Sequence, residues 1–179
     1  MTIIAAKTCG DEIIIGYNDG SELGDTPVGG TSCPWIFLDD WAIGITGESS
    51  VQRLLELKLV EYSSTNSVSE LIDFIYKALL ENEYGSKNSS EYVYTFGIYG
   101  IIVNRQGKIW DVSGCLSLTE IPRGRMWAQG SGADYAVGAE HAISKINPKN
   151  SAKDNMLLCI EAAVENDVHC TGQPVVITW

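Results

Sequence analysis

The chain has 179 residues, 45% hydrophobic and 20% charged, the balance of one ordinary globular domain (1–179) able to bury a sizeable core. Its formal net charge of -11 argues against a nucleic-acid surface or an anionic membrane as partner. No stretch approaches the roughly 18 apolar residues of a membrane span, and the run Ile3–Ala6 is too short for a signal peptide, so the expected location is cytoplasmic.

The first two runs, Thr2–Lys7 and Glu12–Gly16, are rich in β-branched residues and flank the turn signal "TCGD", which predicts a hairpin. "YNDGSELGDTPVGG" is too polar for a sheet interior and predicts a loop. Trp35–Leu38 and Trp41–Ile45 predict two more strands joined at Asp39-Asp40. Ser49 or Ser50 offers a cap for a helix from Val51 to Tyr62. Ser67 and Glu70 have the spacing of a capping box, and Leu71, Ile72, Ile75, Leu79 and Leu80 follow at helical spacing.

"ENEYGSKNSSE" predicts a loop, Tyr92–Val103 a long strand, and Ile109–Val112 and Met126–Gln129 two further strands. Helices follow from "GSGADYAVGAEHAISKI" and from Asn155–Glu165, and Pro174–Thr178 closes the chain as a strand. Helices arriving in pairs, rather than singly between strands, argue against a doubly wound parallel sheet. Two antiparallel sheets face to face, each covered by a helix pair, would bury all these faces. Five cysteines without a C-x-x-C pair read as free thiols, mostly buried. His141 and His169 form no zinc-like cluster with them, so no metal or other cofactor is expected.

Four segments carry a resemblance: "DGSELGDT" (19–26), "WAIGITG" (41–47), "GSGADYAVGAEHA" (130–142) and "ENDVHCTG" (165–172). In this order and spacing they resemble the proteasome β-subunits and HslV, within the N-terminal nucleophile hydrolases, over nearly the whole chain. The resemblance implies an α+β fold, the four-layer αββα sandwich, and threonine-type peptidase chemistry. Thr2, exposed by removal of Met1, would attack a peptide carbonyl with its hydroxyl while its own α-amine takes the proton. By the same resemblance Asp19 sits beside the nucleophile, Ser131 and Asp167 orient its amine and hydroxyl, and the backbone N–H of Gly47 binds the oxyanion. Each has a plainer reading: Asp19-Gly20 is ordinary turn chemistry, Ser131 lies in a glycine loop, and Asp167 can cap a strand.

Two departures stand against that pattern. The family's strand lysine, whose charge lowers the proton affinity of the hydroxyl, falls at Cys33, between Ser32 and Pro34. From Thr8 to Gln52 there is no lysine or arginine, and there are eight carboxylates. Cys33 itself has no histidine or lysine nearby in sequence to activate it, which makes it a buried or half-buried bystander. Matched without gaps, Met1 rather than Thr2 overlies the nucleophile, and a retained Met1 would block the amine. Three functions therefore stay open: a peptidase in a homo-oligomeric ring or stacked rings served by an ATP-dependent unfoldase; a non-catalytic ring subunit; and an N-terminal nucleophile hydrolase of another amide. The tryptophans on strands are expected between the sheets, and Trp179 is expected to be more exposed, a possible subunit contact.

Overall fold

Ile3–Cys9 (β1) and Glu12–Asn18 (β2) pair antiparallel around a two-residue turn, from Ile4 opposite Tyr17 to Cys9 opposite Glu12. The computed structural model describes residues 2–23, 26–28, 33–63, 67–87 and 94–179, with the backbone alone for 21–23, 26–28 and 87. Met1 and Ser32 therefore lie outside the described residues. The segment expected as loop after β2 forms a small ribbon, Ser21–Leu23 (β3) with Thr26–Val28 (β4). Three-residue strands outside both main sheets need no apolar run, so composition does not reveal them.

Trp35–Phe37 (β5) and Trp41–Thr46 (β6) follow, and all six residues of β6 are buried. Helix α1 runs Ser49–Leu59 with Glu48 as the extended N-cap residue, so Ser49 and Ser50 lie inside the first turn rather than capping it. Helix α2, Val68–Glu81, is capped by Ser67, whose hydroxyl accepts from the Glu70 N–H at 3.4 Å as the capping box requires. The expected long strand from Tyr92 is broken. Residues 92 and 93 lie outside the described residues; Tyr94–Thr95 (β8) pairs with Ser86–Lys87 (β7), and Tyr99–Asn104 (β9) resumes after Gly97 at φ +64°.

Ile109–Val112 (β10) leads to Leu118–Ile121 (β11), a strand the sequence reading lacks, and then to Trp127–Gly130 (β12). Helices α3 (Ala133–Ile146) and α4 (Ala152–Asn166) and strand β13 (Pro174–Thr178) complete the chain. One sheet has the order β12-β1-β2-β13 and the other β11-β10-β9-β6-β5, with every pairing antiparallel. Among the described residues no helix is long and apolar enough to cross a membrane.

Three cores separate four layers. Ile3, Ala5 and Ile14 pack against Met156, Cys159, Ile160 and Ala163 of α4. Ile4, Ala6, Ile13 and Ile15 face Trp35, Ala42, Ile101 and Val103 between the sheets. Ile43, Ile45 and Ile102 meet Leu55 and Leu59 of α1 and Leu71, Ile75 and Leu79 of α2. The arrangement is the αββα sandwich, and it explains why β6 reads as unbroken apolar sequence: a strand covered on both faces has no polar side. Trp35 and Trp127 lie between the sheets as expected, but Trp41 and Trp110 pair at 5.9 Å on the side of α1 and α2. Each belongs to the other parity of its strand.

The two ends of the sandwich are distinguishable. At one end Thr8 donates to the Gly107 carbonyl at 2.7 Å, and Trp179 donates from its backbone to Ile13 while the Arg105 guanidinium lies 4.0 Å over its ring. Trp179 is thus partly covered by its own chain, yet it stays more exposed than the buried Trp35, Trp41 and Trp110, as expected. The opposite end holds the start of β1 and the ends of β2, β6 and β12. Strand alternation then places Thr2 on the inter-sheet parity of Ile4 and Ala6, and Lys7 on the helix-facing parity of Ile3 and Ala5.

Lys7 accordingly turns outward and meets Glu140 of α3 at 2.6 Å, with both side chains about four-fifths covered. It cannot serve the inter-sheet space. Lys7→Met strands the Glu140 charge in a site about four-fifths covered, and we expect a loss of about 1–2 kcal/mol by thermal unfolding. A variant as stable as the parent would show that the pair contributes nothing.

Candidate functional site

At the Thr2 end, three loops converge on the start of β1. Ile3 pairs with Gly130, so Thr2 and Ser131 are the next residues along the two strands. Gly130 has φ +107°, and a Cβ there would fall 1.8 Å from the Thr2 carbonyl oxygen. Only glycine lets β12 cross so close to the Thr2 backbone before the chain turns into α3.

Asp167 is the C-cap residue of α4 and is buried. Its carboxylate accepts from the His169 N–H at 3.0 Å and from the Cys170 thiol at 3.3 Å, and the Ser131 hydroxyl lies 3.6 Å from that same thiol. Burial pushes the Asp167 carboxyl up. The hydrogen bonds from Ser131, His169 and Cys170, with the charge of His169, outweigh it and hold the carboxyl below the usual aspartate value. Cys170 is driven the other way, to about 11, chiefly by burial, so it stays a protonated donor. The α4–β13 loop thus delivers a charged carboxylate to Ser131, the residue after Gly130.

A folded-state value below the unfolded one means that Asp167 stabilises the fold above its unfolded pKa. That contribution is lost as pH falls through the folded value. Asp167→Asn should therefore be less stable than the parent at neutral pH, by about 1–3 kcal/mol for disrupted charge-assisted hydrogen bonds. The gap should narrow in acid below the ordinary aspartate range. A gap independent of pH between 7 and 2 would show that the carboxylate charge is not what the loop depends on.

Asp19 follows β2 directly, on the parity of Tyr17. Its Oδ1 accepts from the Gln173 N–H at 2.7 Å, and its own N–H donates to the Gln173 carbonyl at 3.1 Å. The described bonds of Asp19 therefore hold the α4–β13 loop. Gly172, at φ +88°, sits where a Cβ would meet the Gly20 nitrogen at 2.3 Å, so the two backbones touch. Gly47 follows β6 and packs on Gly97 and Ile98, the turn that leads into β9 of the same sheet. It lies at the Thr2 end, but the described contacts leave it on the opposite sheet from Thr2.

Cys33 is exposed rather than buried, because it precedes β5 instead of lying within it. Its carbonyl accepts from Gln52 of α1 at 2.8 Å, and its thiol donates to the Trp35 carbonyl at 3.6 Å. Burial first, then the Cys33 bond and the charges of Cys33 and Asp19, push Tyr17 up to about 12, so the phenol stays protonated at physiological pH. The described groups that act on Tyr17 here are thus a thiol and a carboxylate, with no cation among them. Cys9 and Cys115 are exposed too, leaving only Cys159 and Cys170 buried among the five. Ser113 and Ser117 hydrogen bonds lower the Cys115 thiol from its usual value.

A cavity of about 1090 Å³ runs beside Gly47, lined by Glu48, Gly97, Tyr99, Ser113 and Cys115 among others. Thr2, Asp19, Ser131 and Asp167 do not line it. Sequence reasoning passed over Asn18, Tyr17, Gly130 and Cys170. Asn18 had a usable signal: it shares parity with Ile14 and Gly16, which are covered by α4, so a polar residue there must find buried partners.

No family model and no curated protein matches this sequence. Solved structures do match. A structure of Thiobacillus denitrificans BPH superposes with TM-score 0.81 at 20% identity, covering 100% of this chain and 97% of that one. BPH in complex with epoxomicin gives TM-score 0.82 at 19% identity, covering 100% and 98%. HslV from Trypanosoma brucei gives TM-score 0.70 at 18% identity, covering 98% of each chain. The fold is therefore the four-layer αββα sandwich of BPH and HslV. At these identities the likeness is one of architecture.

Proposed function

We propose that the chain is a threonine-type peptidase subunit that acts from Thr2 once Met1 is removed, within a homo-oligomeric ring. The observation that carries this reading is the buried Asp167 carboxylate joined through the Cys170 thiol to Ser131, one residue beyond the glycine packed on the Thr2 backbone. Thr2 is only half buried, so a substrate has access to it.

In the first step the Thr2 hydroxyl gives its proton to the neutral α-amine, and the oxygen attacks the peptide carbonyl carbon. The carbonyl electrons move onto oxygen, where the Gly47 N–H stabilises them. Collapse of this intermediate breaks the C–N bond. The leaving amine takes the proton, and an ester remains on Thr2. Water then attacks the ester with the amine again as base, releasing the acid and restoring the hydroxyl. Ser131 and Asp167 hold the amine in place, and the charge of Asp167 favours the ammonium formed midway. Asp19 contributes through the loop it fastens.

A ring with an ATP-dependent unfoldase would feed such a site with extended chains. The BPH complex with epoxomicin supports trying that inhibitor as a probe of this chain. Short fluorogenic peptides offered to the chain beginning at Thr2 test the proposal: turnover that disappears when Met1 is retained supports it, and turnover equal in both forms contradicts it.

One observation favours a second reading. With Lys7 committed to Glu140, no cation is described at the Tyr17–Cys33–Asp19 position. This suits a non-catalytic ring subunit, or a hydrolase of a smaller amide that relies on the amine alone. Labelling at Thr2 without peptide turnover would select the small-amide hydrolase, and neither labelling nor turnover would select the scaffold.

A further inference from the structure

Asn18 is fully buried, and both ends of its amide are used. Its Oδ1 accepts from the Ile3 N–H at 2.7 Å, the amide that joins Thr2 to the rest of β1. Its Nδ2 donates to the Thr171 carbonyl at 2.6 Å, inside the loop that carries Asp167. Asp19 and Gly172 fasten that loop to the end of β2, but among the described hydrogen bonds only Asn18 ties it to β1 as well. One planar side chain therefore fixes the distance between the Thr2 backbone and the Asp167–Ser131 pair.

We propose that Asn18 is a positioning residue: it sets the Thr2 α-amine against the Asp167 loop by bridging the Ile3 amide and the Thr171 carbonyl. As a statement about catalysis this rests on the Thr2 reading above; as a statement about the clamp it does not. A carboxylate at position 18 would keep the Ile3 bond, because it accepts, but could not donate to Thr171, and it would oppose that carbonyl with a charge. Alanine would lose both bonds and leave the Ile3 N–H and the Thr171 carbonyl without this partner. The two variants thus separate the two halves of the bridge.

The test uses the full chain beginning at Thr2, with Asn18→Ala and Asn18→Asp. Amide exchange at Ile3 and titration of the Asp167 carboxyl by NMR read the clamp. Epoxyketone labelling reads the chemistry, as a maximal rate and a half-saturating concentration across pH. In Asn18→Ala, Ile3 exchange should rise about tenfold more than that of the core amides of Ile14 and Ile15, and the Asp167 titration should move up. In Asn18→Asp, Ile3 should stay protected while Asp167 still moves up, and the pH midpoint of labelling should rise because the added carboxylate favours the ammonium. Both variants should lose roughly tenfold in maximal labelling rate with half-saturation within about threefold, the mark of misplacement rather than lost binding.

A merely structural asparagine would speed exchange at Ile3, Ile14 and Ile15 alike and leave the titration and the pH midpoint where they were; that result overturns the proposal. Should Asn18→Ala fail to fold, Asn18→Asp alone decides, since protected Ile3 with a moved Asp167 is its signature. If the parent chain is never labelled yet both clamp signatures appear, the hydrolase reading fails and the bridge stands.

Discussion

If Thr2 is the nucleophile proposed above, Thr2→Ala should leave the sandwich folded and remove peptide hydrolysis, lowering kcat/KM by about 10³-fold or more, while Thr2→Ser should keep activity within roughly tenfold. The physical ground is that the hydroxyl is the only part of the side chain that takes part in the reaction. Thr2 is half buried at the start of β1, and the fold around it is held by backbone: Ile3 to Gly130 and the Ile3 N–H to Asn18. Deleting a hydroxyl and a methyl there should cost under about 1 kcal/mol of stability, within the range of partly exposed substitutions. Activity and Tm should therefore part company. A Thr2→Ala protein that still turns over peptides, or one that loses activity only by unfolding, would remove Thr2 from the chemistry.

Gly130→Ala should be among the most damaging single-methyl changes in the molecule. The added Cβ would lie 1.8 Å from the Thr2 carbonyl oxygen, and at φ +107° an alanine is strained even without that neighbour. Because the obstacle is backbone, no rotamer change relieves it; the start of β1 or the turn into α3 must move. We expect a loss of about 3 kcal/mol or more by denaturant unfolding, together with loss of any Thr2-dependent labelling. Gly124→Ala is the control, since that glycine also has positive φ but nothing lies within 4 Å of its added Cβ. Equal losses at the two positions would mean that backbone conformation alone, and not contact with Thr2, sets the cost.

The architecture was legible because burial leaves periodicity. The hairpin of β1 and β2, the capping box at Ser67, the helix after "GSGADY" and strand β13 are each written locally. Paired helices on two covered sheets followed from their order along the chain. What composition hides is pairing between polar short strands: β3 with β4, β7 with β8, and β11 beside β10. The Tyr92–Val103 run was misread because its apolar residues continue through a glycine turn that periodicity does not register.

The site was legible only in part. Register, which is long-range, brings Gly130 and Ser131 to the start of β1; the sequence offered Ser131 and Asp167 only through resemblance and passed over Gly130. Asp19 illustrates the limit: its identity was plain, yet its bonds to Gln173 are a consequence of where β13 lands. Cys33 is exposed because it lies just outside β5, a boundary of two residues that sequence patterns do not resolve. The absence of lysine was visible from the start, and the structure adds that Lys7 points to the far side of its sheet.

The most direct measurement is peptide-level mass spectrometry of the protein taken from its own cells and exposed to an epoxyketone. The account predicts a chain starting at Thr2 and one adduct, confined to the N-terminal peptide. A chain still carrying Met1, or an adduct found on Cys33 or Cys115 with Thr2 untouched, would contradict it.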